Sequence, residues 1–130
     1  MMGIVLADIA AITNNTDVEA ITWEKLEAAC QVSSQYKLLH QTISQGVSNN
    51  SQDWDMQLKD YFIHRHALST LGSVVLLYDR PVIPQSLRLD ILQHLHAGHA
   101  GCNMMFSRAS SCLYWPHYRE DINKFQANCK

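Results

Sequence analysis

The chain has 130 residues, of which 47% are hydrophobic and 17% charged, and its formal net charge is −2. This length fits one domain or two small ones with a buried core, and the near-balanced charge argues against a dedicated nucleic-acid binder. The first residues lack a basic start, and no apolar run approaches the length of a membrane span.

These features predict an intracellular protein without a membrane partner. In a reducing compartment the four cysteines are expected to be thiols, which makes metal binding a better use for Cys129 than a disulfide.

The charge is distributed unevenly along the chain. Residues 1–80 carry five Lys or Arg against nine Asp or Glu, a net charge of −4, whereas residues 81–130 carry five against three, a net charge of +2. The second part is therefore the better candidate for phosphate contact.

Residues 1–79 predict a helical connector that ends in a β-hairpin. Apolar residues at helical spacing predict a helix that begins near Thr22, a second one capped by Ser33 or Ser34 and ended by Gly46, and a third one capped by Asp53. The third helix is expected to bury Trp54, Leu58, Tyr61 and Phe62. A β-branched run on either side of Gly72-Ser73 then predicts a hairpin at about 66–79.

Residues 80–130 predict a second unit of three helices. The stripe Leu87, Ile91 and Leu95 runs into His96, and a second helix with Met105, Ala109 and Cys112 on one face follows Gly101. The third helix is expected to open at Pro116 and to bury Tyr118, Ile122 and Phe125 before it reaches Cys129. The fold class predicted for the whole chain is mostly α with a small β-hairpin.

Two histidines and a late cysteine are candidate metal ligands. His96 and His99 are three residues apart, and Gly98 between them permits a tight turn. Neutral imidazole and thiolate are good zinc ligands, and a structural zinc site closes with four of them. If Cys129 begins a Cys-x-x-Cys pair, the fourth ligand falls just past Lys130, so we expect weak Zn²⁺ binding by these 130 residues.

The order of these residues resembles the zinc-binding domain of integrases in gypsy-type LTR retrotransposon polyproteins, together with the connector that precedes it. The resemblance is strongest over 80–129 and extends weakly to about residue 20. The segments that carry it are Arg80-Pro81-Val82-Ile83-Pro84, Leu95-His96-Ala97-Gly98-His99-Ala100-Gly101, Arg108-Ala109, Leu113-Tyr114-Trp115-Pro116, Asp121-Ile122 and Cys129.

The resemblance implies a helix-turn-helix-like trio over 80–130 with His96, His99 and Cys129 as zinc ligands. It further implies a noncatalytic polyprotein fragment that supports DNA binding and integrase assembly, with element DNA ends and other integrase subunits or the parent polyprotein as partners. Such a protein would be nuclear when it acts in integration. Arg108, Arg119 and Lys124 are weak candidates for phosphate contact.

Simpler interpretations stand beside these. The histidines could be solvated rings at a helix end, Cys129 a core thiol, and the basic residues an ordinary solvated surface. Trp115 could stack on nucleobases or, as we expect, form an aromatic wedge in the core. The alternative function is a co-opted or remnant protein-interaction module that binds neither metal nor DNA. A hydrolase ranks last, because no acid is convincingly placed near His96 or His99.

Overall fold

The computed structural model of the chain describes residues 22–96 and 112–128. These residues contain four α-helices, two 3-10 helices and one three-stranded antiparallel sheet, so the predicted class, mostly α with a small β-hairpin, is confirmed. The α-helices are α1 (Trp23–Val32), α2 (Ser34–Ser44), α3 (Gln85–His96) and α4 (Tyr118–Asn128). The 3-10 helices span Ser51–Asp53 and Met56–His64, and the strands are β1 (Leu68–Leu71), β2 (Val74–Leu77) and β3 (Arg80–Pro81).

The first two helices begin and end at residues that the sequence identifies. The Thr22 hydroxyl caps α1 by accepting the Lys25 N–H at 3.2 Å, and the Ser33 hydroxyl caps α2 by accepting the Tyr36 N–H at 3.2 Å. Gly46, just past the end of α2, has φ +98°, a value that glycine adopts without steric cost. The predicted start near Thr22, the Ser33 cap and the Gly46 stop are confirmed.

The third predicted helix differs in type and in its cap. Asp53 lies at the end of the short 3-10 helix, and Asp55 caps the next one by accepting the Gln57 N–H at 2.9 Å. Trp54 stays outside both helices because its indole N–H donates to the Ser48 carbonyl at 2.9 Å. Leu58 and Tyr61 are buried three residues apart, the period of a 3-10 helix.

The predicted hairpin is confirmed, and a third strand extends it. β1 pairs with β2 around a turn in which Gly72 has φ +61°. Arg80 and Pro81, just past the predicted hairpin, form β3, paired with Leu77 and Leu76. Tyr78 opens this second turn with φ +57°, an uncommon conformation for a residue other than glycine.

The Tyr36 hydroxyl joins α2 to the junction between β2 and β3. It accepts the Val75 N–H at 2.8 Å and donates to the Val82 carbonyl at 2.7 Å, while the Val82 N–H donates directly to the Val75 carbonyl at 2.8 Å. The hydroxyl thus bridges the Val75 N–H and the Val82 carbonyl, where a direct backbone hydrogen bond between these two buried residues would otherwise lie. Burial raises the pKa of Tyr36 far above its usual range, so this hydroxyl stays protonated.

The chain after β3 packs onto the same core. Val82 and Tyr114 form a parallel bridge: the Ile83 N–H donates to the Tyr114 carbonyl at 2.9 Å, and the Tyr114 N–H donates to the Pro81 carbonyl at 3.0 Å. Buried residues from both sides of residue 80 belong to one cluster. The predicted division into 1–79 and 80–130 falls in the turn between β2 and β3 and stays a prediction.

Two of the three predicted C-terminal helices lie within the described residues, as α3 and α4. The last helix begins at Tyr118, two residues later than predicted, because the chain first turns at Pro116 and His117 and the Tyr118 N–H donates to the Trp115 carbonyl at 3.2 Å. The predicted helix after Gly101, with Met105 and Ala109, lies outside the described residues. Neither 22–96 nor 112–128 contains a helix long and apolar enough to cross a membrane.

Candidate zinc-binding site

The helix that ends at the first of the two histidines is anchored by apolar side chains in the core. In α3 Ile91 is fully buried, Leu92 is nearly so, and Leu87 is half-buried against the core. The last residue of α3 is His96. The sequence therefore places the first candidate ligand at the end of a helix whose orientation is fixed by packing.

The helix that leads to the candidate cysteine is anchored in the same way. In α4 Tyr118 and Ile122 are buried and Phe125 is half-buried, which confirms the predicted apolar stripe. The helix ends at Asn128, the residue before Cys129, and it contacts α3. Two of the segments expected to carry ligands are thus packed against each other.

The remaining candidates cannot be placed. His99, Cys102, Arg108 and Cys129 lie outside the described residues, and so the convergence of His96, His99 and Cys129 stays a prediction. Within 22–96 and 112–128 no three His, Cys, Asp or Glu side chains gather as a metal site, but only one of the three predicted ligands falls in those ranges.

Cys30 is a core thiol, and this makes it a poor metal ligand. Its side chain is buried between α1 and α2, and burial raises its pKa to about 11. A metal needs the thiolate, which this environment disfavours. Cys112 is half-buried and packs against the core.

Trp115 is the aromatic wedge that the sequence predicts, and its polar edge has a partner that the sequence analysis missed. The side chain is fully buried, and its indole N–H donates to Asp121 Oδ2 at 2.7 Å. The need of a buried indole N–H for an acceptor could have suggested one of the two acids in the first turn of α4, Glu120 or Asp121. Stacking of Trp115 on a nucleobase is incompatible with its complete burial.

Three histidines outside the predicted zinc site make specific contacts. His40 Nε2 lies 2.7 Å from the Gly72 carbonyl oxygen, and the His64 ring packs edge-on against Tyr114 at 5.2 Å between centroids. Burial, and secondarily the Arg80 charge, lowers the pKa of His64. His117 lies 3.5 Å from an Asp60 carboxylate oxygen.

The candidate phosphate contacts differ in their surroundings. Arg119 and Lys124 are exposed on α4, where the Arg119 guanidinium lies 5.8 Å from the Tyr118 ring centroid. Arg88, by contrast, is half-buried: its Nε donates to the Ile83 carbonyl at 3.1 Å, and its guanidinium lies 5.9 Å from the Trp115 ring centroid. It supports the core and is not a surface phosphate contact.

Comparison with known families identifies the C-terminal part of the chain. Residues 83–130 match the family described as the integrase zinc binding domain. The match implies zinc binding and a role in integrase function, and the matched domain is not itself catalytic. The match covers His96, His99 and Cys129.

A relative supports the same identification. The chain is 32% identical over 71 residues to the uncharacterized protein K02A2.6 of Caenorhabditis elegans; the aligned part covers 55% of this chain and 6% of the nematode protein. The family match confirms the predicted integrase zinc-binding domain over residues 83–130. No solved structure matches the chain.

Proposed function

We propose that this chain is a noncatalytic part of a retrotransposon polyprotein in which His96, His99 and Cys129 bind Zn²⁺. The observation that carries the proposal is the family match over 83–130, which includes all three residues. Two imidazoles and one thiolate suit Zn²⁺, which in a structural site stabilises the fold and performs no chemistry. The domain would support DNA binding and the assembly of integrase subunits, in the nucleus when integration takes place.

The packing of the described residues supports this proposal. α3 ends at His96, α4 ends one residue before Cys129, and the two helices are in contact. Because structural zinc sites couple metal binding to folding, a site formed here would add stability to the C-terminal helices. Three of the four family ligand positions fall within the 130 residues, so we expect weak affinity.

A zinc titration tests the proposal. Calorimetry and circular dichroism are run on the 130-residue chain, on a version extended so that a second cysteine follows Cys129 by three residues and completes Cys-x-x-Cys, and on His99→Ala in both versions. The extended chain should bind more tightly, and His99→Ala should weaken both. The matched control is His66→Ala, because His66 is exposed whereas His64 packs on Tyr114. Equal affinity for the His99 variant and the unchanged chain would contradict zinc ligation.

The DNA-binding part of the proposal rests on the net charge of +2 over 81–130 and on the exposed side chains of Arg119 and Lys124. If both contact phosphate, replacing both with glutamine should weaken binding to duplex DNA and make the slope of log K against log salt shallower by about two. An unchanged slope would remove these two residues from the interface. The same double substitution should leave zinc affinity unchanged.

Exposed apolar side chains favour the alternative, a protein-interaction module. Met56, Ile63 and Val32 are 84%, 77% and 80% exposed on the N-terminal part, where the net charge is −4. If the extended chain binds neither zinc nor DNA, this alternative becomes the better account.

A further inference from the structure

Trp115 lies between the two helices that lead to the predicted ligands. On one side its indole N–H donates to Asp121 Oδ2, in the first turn of α4, at 2.7 Å. The ring is fully buried, the hydrogen bond is partly buried, and its acceptor is a carboxylate, which makes such bonds strong.

On the other side the ring faces Arg88 of α3. The Arg88 guanidinium lies 5.9 Å from the ring centroid, within the range of a cation–π contact. Its orientation is fixed by the 3.1 Å bond from Nε to the Ile83 carbonyl and by a hydrogen bond with Tyr61. Trp115 therefore contacts one side chain from each helix, Asp121 of α4 and Arg88 of α3.

The spacing from these contacts to the predicted ligands is equal. His96 follows Arg88 by eight residues, and Cys129 follows Asp121 by eight residues. The helical stretches from Arg88 to His96 and from Asp121 to Asn128 span roughly 10–12 Å, so a rotation of about 10° at the anchor displaces either far end by about 2 Å. Such a displacement is as long as a zinc–ligand bond, about 2.0–2.3 Å.

We infer that Trp115, held by Asp121 and Arg88, is a positioning residue for the zinc site: it fixes the directions of α3 and α4 so that their ends can share one metal ion. This inference rests on the proposed zinc function. It assigns to Asp121 a role beyond that of an ordinary first-turn acid, and to Arg88 a role that its neighbours on α3 cannot replace.

The experiment compares Asp121→Ala, Asp121→Asn and the matched control Glu120→Ala in the full 130-residue chain. Each is titrated with Co²⁺, whose ligand-field and thiolate charge-transfer absorption reports the coordination, and then with Zn²⁺. Asp121→Ala should bind both ions about tenfold more weakly, because a charge-assisted hydrogen bond is lost. Asp121→Asn keeps an acceptor oxygen and should restore most of the affinity, and Glu120→Ala should not change it.

The indole N–H resonance of Trp115 in a proton–nitrogen spectrum gives a readout independent of metal. It should shift in both Asp121 variants and not in the control. If Asp121→Ala loses its helical circular dichroism, Arg88→Met replaces it, with the same loss of affinity expected. Metal binding by the unchanged chain together with equal affinity in the folded Asp121→Ala or Arg88→Met variant would overturn the inference. Absence of metal binding by the unchanged and extended chains would instead overturn the zinc proposal, and the inference with it.

Discussion

Replacing Tyr36 with phenylalanine tests how α2 is joined to the segment that leads into the integrase-type domain. The substitution removes one hydroxyl. Two backbone groups, the Val75 N–H and the Val82 carbonyl, then lose their hydrogen-bond partner, and both residues are fully buried. A buried polar group without a partner costs about 1–3 kcal/mol. Because the two groups face each other and can close part of the gap, we expect a total loss of about 2–4 kcal/mol.

The assay is urea-induced unfolding followed by circular dichroism, with a metal chelator present so that the metal does not contribute. The midpoint should fall while the m-value stays the same, since the surface exposed on unfolding is unchanged. Tyr78→Phe is the matched control: Tyr78 is 73% exposed, and its substitution should change stability by less than about 0.5 kcal/mol. Equal effects of the two substitutions would refute the role assigned to the Tyr36 hydroxyl.

Further predictions concern the core, a turn and alkaline pH. Leu26→Ala, at a fully buried position, should lower the free energy of unfolding by about 2–5 kcal/mol, whereas exposed Val32→Ala should change it by less than about 0.5 kcal/mol; similar losses would place Leu26 outside the core. Gly72→Ala should cost about 1 kcal/mol, because φ is +61°, and Gly72→Asn should cost less; the reverse order in urea titrations would contradict strain as the cause. Burial raises the pKa of Cys30 from 9.0 to about 11, so the unfolded chain loses this proton first and stability should fall as pH rises from about 9 to about 11. Cys30→Ala should reduce this dependence, and an unchanged slope would exclude the thiol.

The elements that could be predicted from the sequence are those that depend on neighbouring residues. The Thr22 and Ser33 caps and the turn at Gly72 are local, because a hydroxyl three residues before an N–H, or a glycine with positive φ, needs no distant partner. β3 and the Tyr36 hydroxyl bridge were missed because each depends on residues distant along the chain. The third helix was misassigned because Leu58 and Tyr61 fit an α-helical stripe as well as a 3-10 period.

The residues of the candidate site also fall into two groups, those that the sequence predicts and those that only the packed structure reveals. His96, His99 and Cys129 could be identified from residue type, order and spacing, which the family match then supported. The Asp121 partner of Trp115 and the inward orientation of Arg88 require the packed structure, because a first-turn acid and a helix arginine are ordinary surface residues in a sequence.

The most direct test of the central claim is X-ray absorption spectroscopy at the zinc edge on the zinc-loaded chain, compared with Cys129→Ser. The proposed site predicts nitrogen ligands at about 2.0–2.1 Å and a sulfur ligand at about 2.3 Å, with the sulfur shell lost in the Cys129 variant. A spectrum with oxygen and nitrogen ligands alone, or a sulfur shell that persists in Cys129→Ser, would contradict zinc ligation by His96, His99 and Cys129.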